Sequence, residues 1–197
     1  MSRFKSISRT SLTIIALTVT VATISIILFS LSLGGTQKAT ATVTVYQKDS
    51  GLGEVEDVCF SAREDCSSLI LSLINRARKS IHVMVYSFTL DGLGEALISA
   101  KEKGLDVKVV IEEENAYVRG SEYEKLKKAG VDVRLDSNKA LMHHKVMIVD
   151  GEIVVTGSYN WTKSAEEEND ENLVVIYGEG LARRYEEEFE RIWSNSK

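Results

Sequence analysis

The sequence predicts one α/β domain carried behind an N-terminal membrane-spanning segment, and three observations predict it. From residue 54 onward, short β-branched runs alternate with amphipathic stretches of helical period, the pattern of a sheet covered by helices. Two of those runs flank Asp150-Gly151, a dipeptide that favours a two-residue hairpin turn. Ahead of them, the stretch from Leu12 to Leu33 is apolar and free of charge, about as long as the ~20 residues that cross a bilayer.

Residues 1–10 carry Arg3, Lys5 and Arg9, which places the N-terminus in the cytoplasm and the rest of the chain outside it. Segment 11–33 is the anchor. A cleaved signal peptide is its rival, because Ala39-Thr40-Ala41 is a small-x-small site, yet the apolar core exceeds the ~7–15 residues usual for such peptides. Residues 34–53, rich in Thr, Gly and small side chains, read as a linker to a domain at 54–197. Four of the 24 basic residues and no acid precede residue 42, so the remainder holds 20 basic against 29 acidic residues, a net of −9. That balance excludes a protein that grips polyanions through a broad basic face; any such contact is local.

Within the domain, Val55–Phe60 reads as a strand. Ser61-Ala62-Arg63-Glu64 then fits a capping box for a helix with the stripe Leu69, Ile70, Leu73, Ile74 and Ala77. Ile81–Phe88 is a nearly continuous apolar run, as expected of a strand buried on both faces, and His82 inside it reads as a structural core histidine. Asp91 stands where it would cap a helix carrying Leu93, Ala96, Leu97 and Ala100, which Gly104 ends. Leu105–Ile111 is a strand, followed by the polar segment Glu112–Gly120. Ser121-Glu122-Tyr123-Glu124 repeats the capping-box pattern before a short helix that stops at Gly130, and Val131–Leu135 is a further strand. After the hairpin come a turn and short helix over Trp161–Glu168 and a strand over Asn172–Tyr177. A closing amphipathic helix bears Leu181, Tyr185, Phe189, Ile192 and Trp193. The sequence has no internal repeat, dinucleotide glycine fingerprint or P-loop. Cys59 and Cys66 are too few for a four-ligand zinc site; outside the cytoplasm a disulfide is allowed, and two free thiols are the other reading.

The chemistry concentrates in the hairpin. With a two-residue turn, Val149 pairs with Glu152, Lys145 with Thr156, His143 with Ser158 and Leu141 with Asn160. Side chains directly across an antiparallel pair share a face, as do residues two apart along a strand. His143, Lys145, Ser158 and Asn160 therefore project together at the open end, while His144 points to the opposite face. Asp150 sits in the turn, roughly 16 Å from Lys145 at about 3.3 Å per residue, and is structural. This set suits a phosphate better than a metal. A charged lysine cannot ligate, and Ser and Asn are poor ligands for soft ions. A phosphodiester offers two anionic oxygens to such donors and a phosphorus that an imidazole nitrogen can attack. The rival reading is a buried hairpin with a frayed polar end, against which four converging polar groups argue.

The spacing His143-x-Lys145-x4-Asp150-x6-Gly157-Ser158-x-Asn160 resembles the HKD signature of the phospholipase D superfamily. The stretch Asn169-Asp170-Glu171-Asn172-Leu173-Val174-Val175 resembles the single-motif, Nuc-type endonucleases, and the likeness runs from about Val55 to the C-terminus. The resemblance implies an α/β/α sandwich around a mixed sheet, and a phosphodiesterase that needs neither metal nor cofactor and forms a phosphohistidine at His143. It also implies that Lys145 and Asn160 hold phosphate oxygens, that Ser158 donates a supporting hydrogen bond, and that Glu171 orients the histidine. Asp150 and Gly157 are its structural members. Superfamily members with two motifs build one site from both; this chain has one, which implies a homodimer sharing its site across a two-fold axis. Arg119 and Lys139 are candidate substrate contacts. The Nuc-type likeness favours nucleic acid as substrate. A phospholipid or cardiolipin is the enzymatic alternative, and an inactive binding module is the third reading.

Overall fold

The computed structural model describes residues 53–197. The basic segment, the anchor and all but the last residue of the linker lie outside the described residues. Among the described residues, no helix is long and apolar enough to cross a membrane.

The elements follow the expected alternation: β1 (Glu54–Phe60), α1 (Cys66–Arg76), β2 (Ser80–Val85), α2 (Asp91–Glu102), β3 (Asp106–Glu112), α3 (Tyr123–Lys128) and β4 (Asp132–Asp136), then β5 (Lys145–Val149), β6 (Ile153–Gly157), α4 (Lys163–Glu167), β7 (Asn172–Tyr177) and α5 (Glu179–Asn195). One mixed sheet runs in the order β1-β7-β6-β5-β2-β3-β4. β2, β3 and β4 are mutually parallel, whereas β5, β6, β7 and β1 are joined by antiparallel pairings beginning at β2. Alternate residues of each strand serve the two faces. On one face Ile81, Val83, Val85, Val109, Met147 and Val155 pack with α1, α2 and α3. On the other, Met84, Val110, Val146, Ile148 and Val154 pack against Ala182, Phe189 and Ile192 of α5. The result is the expected three-layer sandwich. Each fully buried Leu, Ile or Val side chain contributes about 1.5–3 kcal/mol relative to exposure, so both cores matter to stability.

Helix entries differ from the sequence expectation. Asp65, not Ser61, caps α1, its carboxylate accepting the Ser68 N–H at 2.8 Å. Ser61 is drawn away, donating to the Asn169 carbonyl and accepting from the Glu171 N–H, while Glu64 reaches back to the Phe60 N–H. Asp91 lies inside the first turn of α2, with Leu90 at the cap position, its carbonyl accepting the Gly94 N–H at 3.2 Å. At α3 the second box does not form either: Ser121 Oγ accepts from the Tyr123 N–H at 3.4 Å, and Glu122 is buried.

The hairpin turn forms as expected, but the register does not. Asp150 and Gly151 both have positive φ, 57° and 71°, and the Glu152 N–H donates to the Val149 carbonyl at 3.0 Å. The Glu152 carbonyl, however, accepts from the Gly178 N–H at 2.7 Å, and the ladder resumes one residue later, with Val149 opposite Ile153. Every pair is displaced by one. Thr156 therefore faces Val146 rather than Lys145.

These registers gather the chain reversals. Val85 pairs with Ile111 and Lys145, Ile111 with Leu135, Gly157 with Leu173, and Phe60 with Asn172. The ends of β1, β2, β3, β4 and β6 thus meet the starts of β5 and β7 at one end of the sheet.

Candidate active site

Lys145 opens β5 on the face that Met147 and Val149 continue into the core, which leaves the residue only 8% exposed. Burial lowers its pKa from the ordinary lysine value, and the negative charge of nearby Glu171 opposes that shift. His143, two residues earlier, is exposed. Its Nδ1 lies 3.0 Å from Lys145 Nζ, which also donates to the His143 carbonyl at 2.9 Å. His144 turns to the other face, where Nε2 stands 3.5 Å from Glu188 Oε1 of α5. The expected division between the two histidines holds despite the shifted register, because it depends on alternation along one strand and not on the partner strand.

Ser158 and Asn160 are placed by contacts other than the expected pairing with His143 and Leu141. β6 ends at Gly157, where a Cβ would stand 2.1 Å from the Asn172 carbonyl oxygen; only glycine permits that approach. The Ser158 N–H then donates to the same carbonyl at 3.0 Å, and Ser158 Oγ accepts from the Asn172 backbone and side-chain amides. Tyr159 turns into the core and donates to Glu166. Burial, followed by its bond to that carboxylate, drives the pKa of the Tyr159 phenol far upward. Trp161 packs edge-to-face on Phe88, with ring centroids 4.9 Å apart, and its backbone bonds Ser87, Thr89 and Leu90. Asn160 is thereby held between two anchored aromatics, and its Oδ1 is buried without a hydrogen-bond partner.

Glu171 sits at the same end, but not on His143. Its carboxylate accepts from Asn169 Nδ2 at 3.1 Å, and among the described residues no hydrogen bond joins it to the imidazole. Its negative charge opposes the effect of burial on Lys145. Arg119 and Lys139 are exposed on the loops after β3 and β4, and among the described residues neither forms an ion pair. Asp150 lies at the far end of the hairpin and accepts the backbone N–H groups of Arg78, Lys79 and Ser80 at 2.7–3.1 Å. Cys59 and Cys66 are joined in a disulfide, with Cα atoms 5.7 Å apart. His82 bonds Glu186 at 2.7 Å and Asp106 at 3.2 Å and stacks on Phe189, away from the site. No three His, Cys, Asp or Glu side chains among the described residues converge as a metal site.

Two residues escaped the sequence reading. Glu112, 3% exposed at the end of β3, accepts the Met142 N–H at 2.6 Å. Tyr86, just past β2, packs against His143. In the sequence both sit at the margins of apolar runs, where nothing distinguishes them from strand ends. A cleft of about 440 Å³ is lined by both His143 and His144, together with Asn138, Met142 and Arg191 among others.

Residues 70–193 match the family described as cardiolipin synthase, PLD-like domain. The mitochondrial cardiolipin hydrolase of Xenopus tropicalis is 36% identical over 126 residues, which are 64% of this chain and 60% of that protein. The chain thus spans about three fifths of that relative's length. A phospholipase D of Rickettsia conorii is 30% identical over 153 residues, 76% of either chain. The solved structure of Nuc, a phospholipase D family member from Salmonella typhimurium, is similar with a TM-score of 0.68 and 39% identity, covering 72% of this chain and 95% of that one.

Proposed function

Because this chain belongs to the phospholipase D superfamily of phosphodiesterases, we propose that it cleaves phosphodiester bonds without a metal, through a phosphohistidine on His143, and that its substrate is nucleic acid. The observation that carries the chemistry is an exposed imidazole held 3.0 Å from a buried ammonium at an open end of the sheet. One His143 nitrogen attacks phosphorus and forms the P–N bond as the P–O bond to the leaving alkoxide breaks. The His143 of a second copy of this chain protonates that alkoxide. It then takes a proton from water, whose oxygen attacks the phosphohistidine and frees the first imidazole. One imidazole cannot stand on both sides of an in-line displacement, so the reaction calls for a homodimer with facing hairpin ends. Lys145 and the Asn160 amide hold the non-bridging oxygens and stabilise the charge that grows on them. Ser158 supports the loop that carries Asn160, and Glu171 favours the charged form of Lys145.

Nucleic acid is favoured as substrate by the likeness to Nuc, which extends over 95% of that chain. A cardiolipin-type lipid hydrolase is the second reading, favoured by 36% identity to a protein named for that activity. The N-terminal segment 11–33 would tether the domain outside the cytoplasm in either case. The test presents the full-length chain with plasmid, single-stranded DNA, RNA and cardiolipin vesicles, each with and without EDTA. Cleavage of a nucleic acid that survives EDTA is expected. Release of lipid product alone would favour the second reading, and loss of all activity in EDTA, restored by magnesium or zinc, would overturn the mechanism. Wild-type subunits co-expressed with excess His143→Asn subunits should lose activity per wild-type chain, and full retention would refute the shared site.

A further inference from the structure

The Tyr86 backbone N–H donates to the His144 carbonyl at 2.9 Å, extending the β2–β5 pairing one residue past Val85 and Lys145. That bond fixes the Tyr86 Cα against the strand that carries the nucleophile. Its ring then touches both reactive groups. The ring centroid is 4.5 Å from that of His143, with the planes inclined at 48°, and Lys145 Nζ stands 4.8 Å from it. The face of a phenol ring carries negative charge density and attracts an ammonium. Packed against an imidazole, the same ring restricts how that imidazole turns. Both contacts engage the ring of the Tyr86 side chain.

We infer that Tyr86 is a positioning residue for phosphodiester cleavage: one aromatic face sets the plane of the His143 imidazole and holds the Lys145 ammonium beside it. The inference rests on the phosphodiesterase reading above and adds to it the device that aims the nucleophile. An exposed histidine at the start of a strand has rotamers that point away from a bound phosphate, and a nucleophile must lie about 3–3.5 Å from its target to react well. The groups facing the Lys145 ammonium are Tyr86 from the end of β2, His143 from its own strand and Glu171 from the segment before β7. Burial favours the neutral amine, Glu171 favours the charged one, and the ring adds to the second influence.

The test measures hydrolysis of bis(4-nitrophenyl) phosphate across pH by the full-length chain, with melting followed by circular dichroism. Tyr86→Phe keeps the face and should stay within about threefold of wild type, a spread smaller than any lost orientation would produce. Tyr86→Leu should lose about 10- to 100-fold in kcat with little change in KM, because the groups remain but their geometry does not. The alkaline limb of its kcat profile should move down by about half a pH unit, as the ammonium loses the ring, and should stay in place in Tyr86→Phe. Tyr86→Met, of similar reach and apolar, takes the place of Tyr86→Leu if the latter does not fold. Wild-type kcat and an unmoved profile in the Leu or Met variant would overturn the inference, as would a Phe variant as impaired as Leu. A wild-type chain that does not turn over this ester would instead overturn the phosphodiesterase reading, and the inference with it.

Discussion

The Glu112 carboxylate accepts the Met142 N–H at 2.6 Å, so a side chain at the end of β3 holds the backbone residue that precedes His143. Both partners are buried, Glu112 at 3% and Met142 at 3% exposure. Glu112→Gln keeps an acceptor oxygen and should retain most activity. Glu112→Ala leaves a buried N–H unpaired, at a cost of about 1–3 kcal/mol, and should loosen His143 as well. Thermal melts and kcat compared across the pair check this: a Glu112→Ala protein with wild-type stability and turnover would show that the bond carries nothing.

His143→Asn should abolish turnover, by about three orders of magnitude or more, with little change in melting temperature. His144→Asn removes only a contact to partly exposed Glu188 at 3.5 Å, of the kind worth about 0–1 kcal/mol, and should keep substantial activity. Equal losses in the two variants, measured on the same ester, would mean that the strand does not present the two rings to opposite faces during turnover.

Asp150 should matter to stability alone. Its carboxylate ties three successive backbone N–H groups at the entry to β2, at the end of the hairpin away from His143. Asp150→Ala frees all three donors and places alanine at a positive φ of 57°. Hydrogen bonds to charged acceptors are worth about 1.5–3 kcal/mol each, and partial hydration of the freed donors returns some of that, so a net loss of about 2–4 kcal/mol is expected. Urea melts beside kinetics at a temperature where both proteins are folded separate the two effects. A variant that is fully folded yet inactive would contradict a structural role.

Stability should decline as pH rises past neutrality. For His82 the largest single influence, burial, favours the neutral ring, but hydrogen bonds and charge from Glu186 and Asp106 outweigh it and raise the pKa above its ordinary 6.5. A raised folded-state value means that this stabilisation is complete below pH about 6.5 and is lost as pH climbs through the folded value. Glu122 acts in the same sense, since burial first and Asp91 second push its carboxyl up to about 7. Because the unfolded carboxyl ionises near its ordinary 4.5, this contribution is lost between pH about 4.5 and about 7 and adds no slope above that. Melting temperature should therefore fall from pH about 4.5 to 7 through Glu122 and continue to fall above pH about 6.5 through His82, and His82→Gln with Glu122→Gln should flatten the slope. An unchanged slope in the double variant would assign the pH dependence to other groups.

Reducing Cys59–Cys66 should lower stability modestly. The bridge closes a short loop, seven residues in sequence separation, and the chain-entropy model gives about 2.5 kcal/mol for a loop of that size. Thiol labelling of unreduced, denatured protein should modify neither cysteine; modification of both would show that the bridge is absent from the native protein.

The strands and the two-sided core were legible in the alternation of apolar runs, because burial on a pleated sheet imposes a period that sequence displays directly. The same logic separated His143 from His144. The hairpin register was not legible, because a remote carbonyl–amide pair, Glu152 with Gly178, removes one residue from the ladder. Ser158 and Asn160 are placed through the Gly157–Asn172 approach and the Tyr159 and Trp161 anchors rather than through the expected strand pairing. The helix caps failed for a related reason. Ser61 had a competing partner in Asn169, and a capping box cannot reveal a bond that spans 108 residues of chain. Tyr86 and Glu112 were hidden because an aromatic or an acid at a strand terminus has no local signature; only the neighbouring strand gives it a task.

The distance between Asp150 and His143 along one hairpin has an evolutionary consequence. The groups that lock β2 to the turn lie at one end of the sheet, and the loops that surround the nucleophile lie at the other. Segments 113–122 and 137–142 can thus be lengthened, shortened or recharged by mutation without loosening that lock. A scaffold divided in this way keeps what fixes the hairpin apart from what surrounds His143 and Lys145.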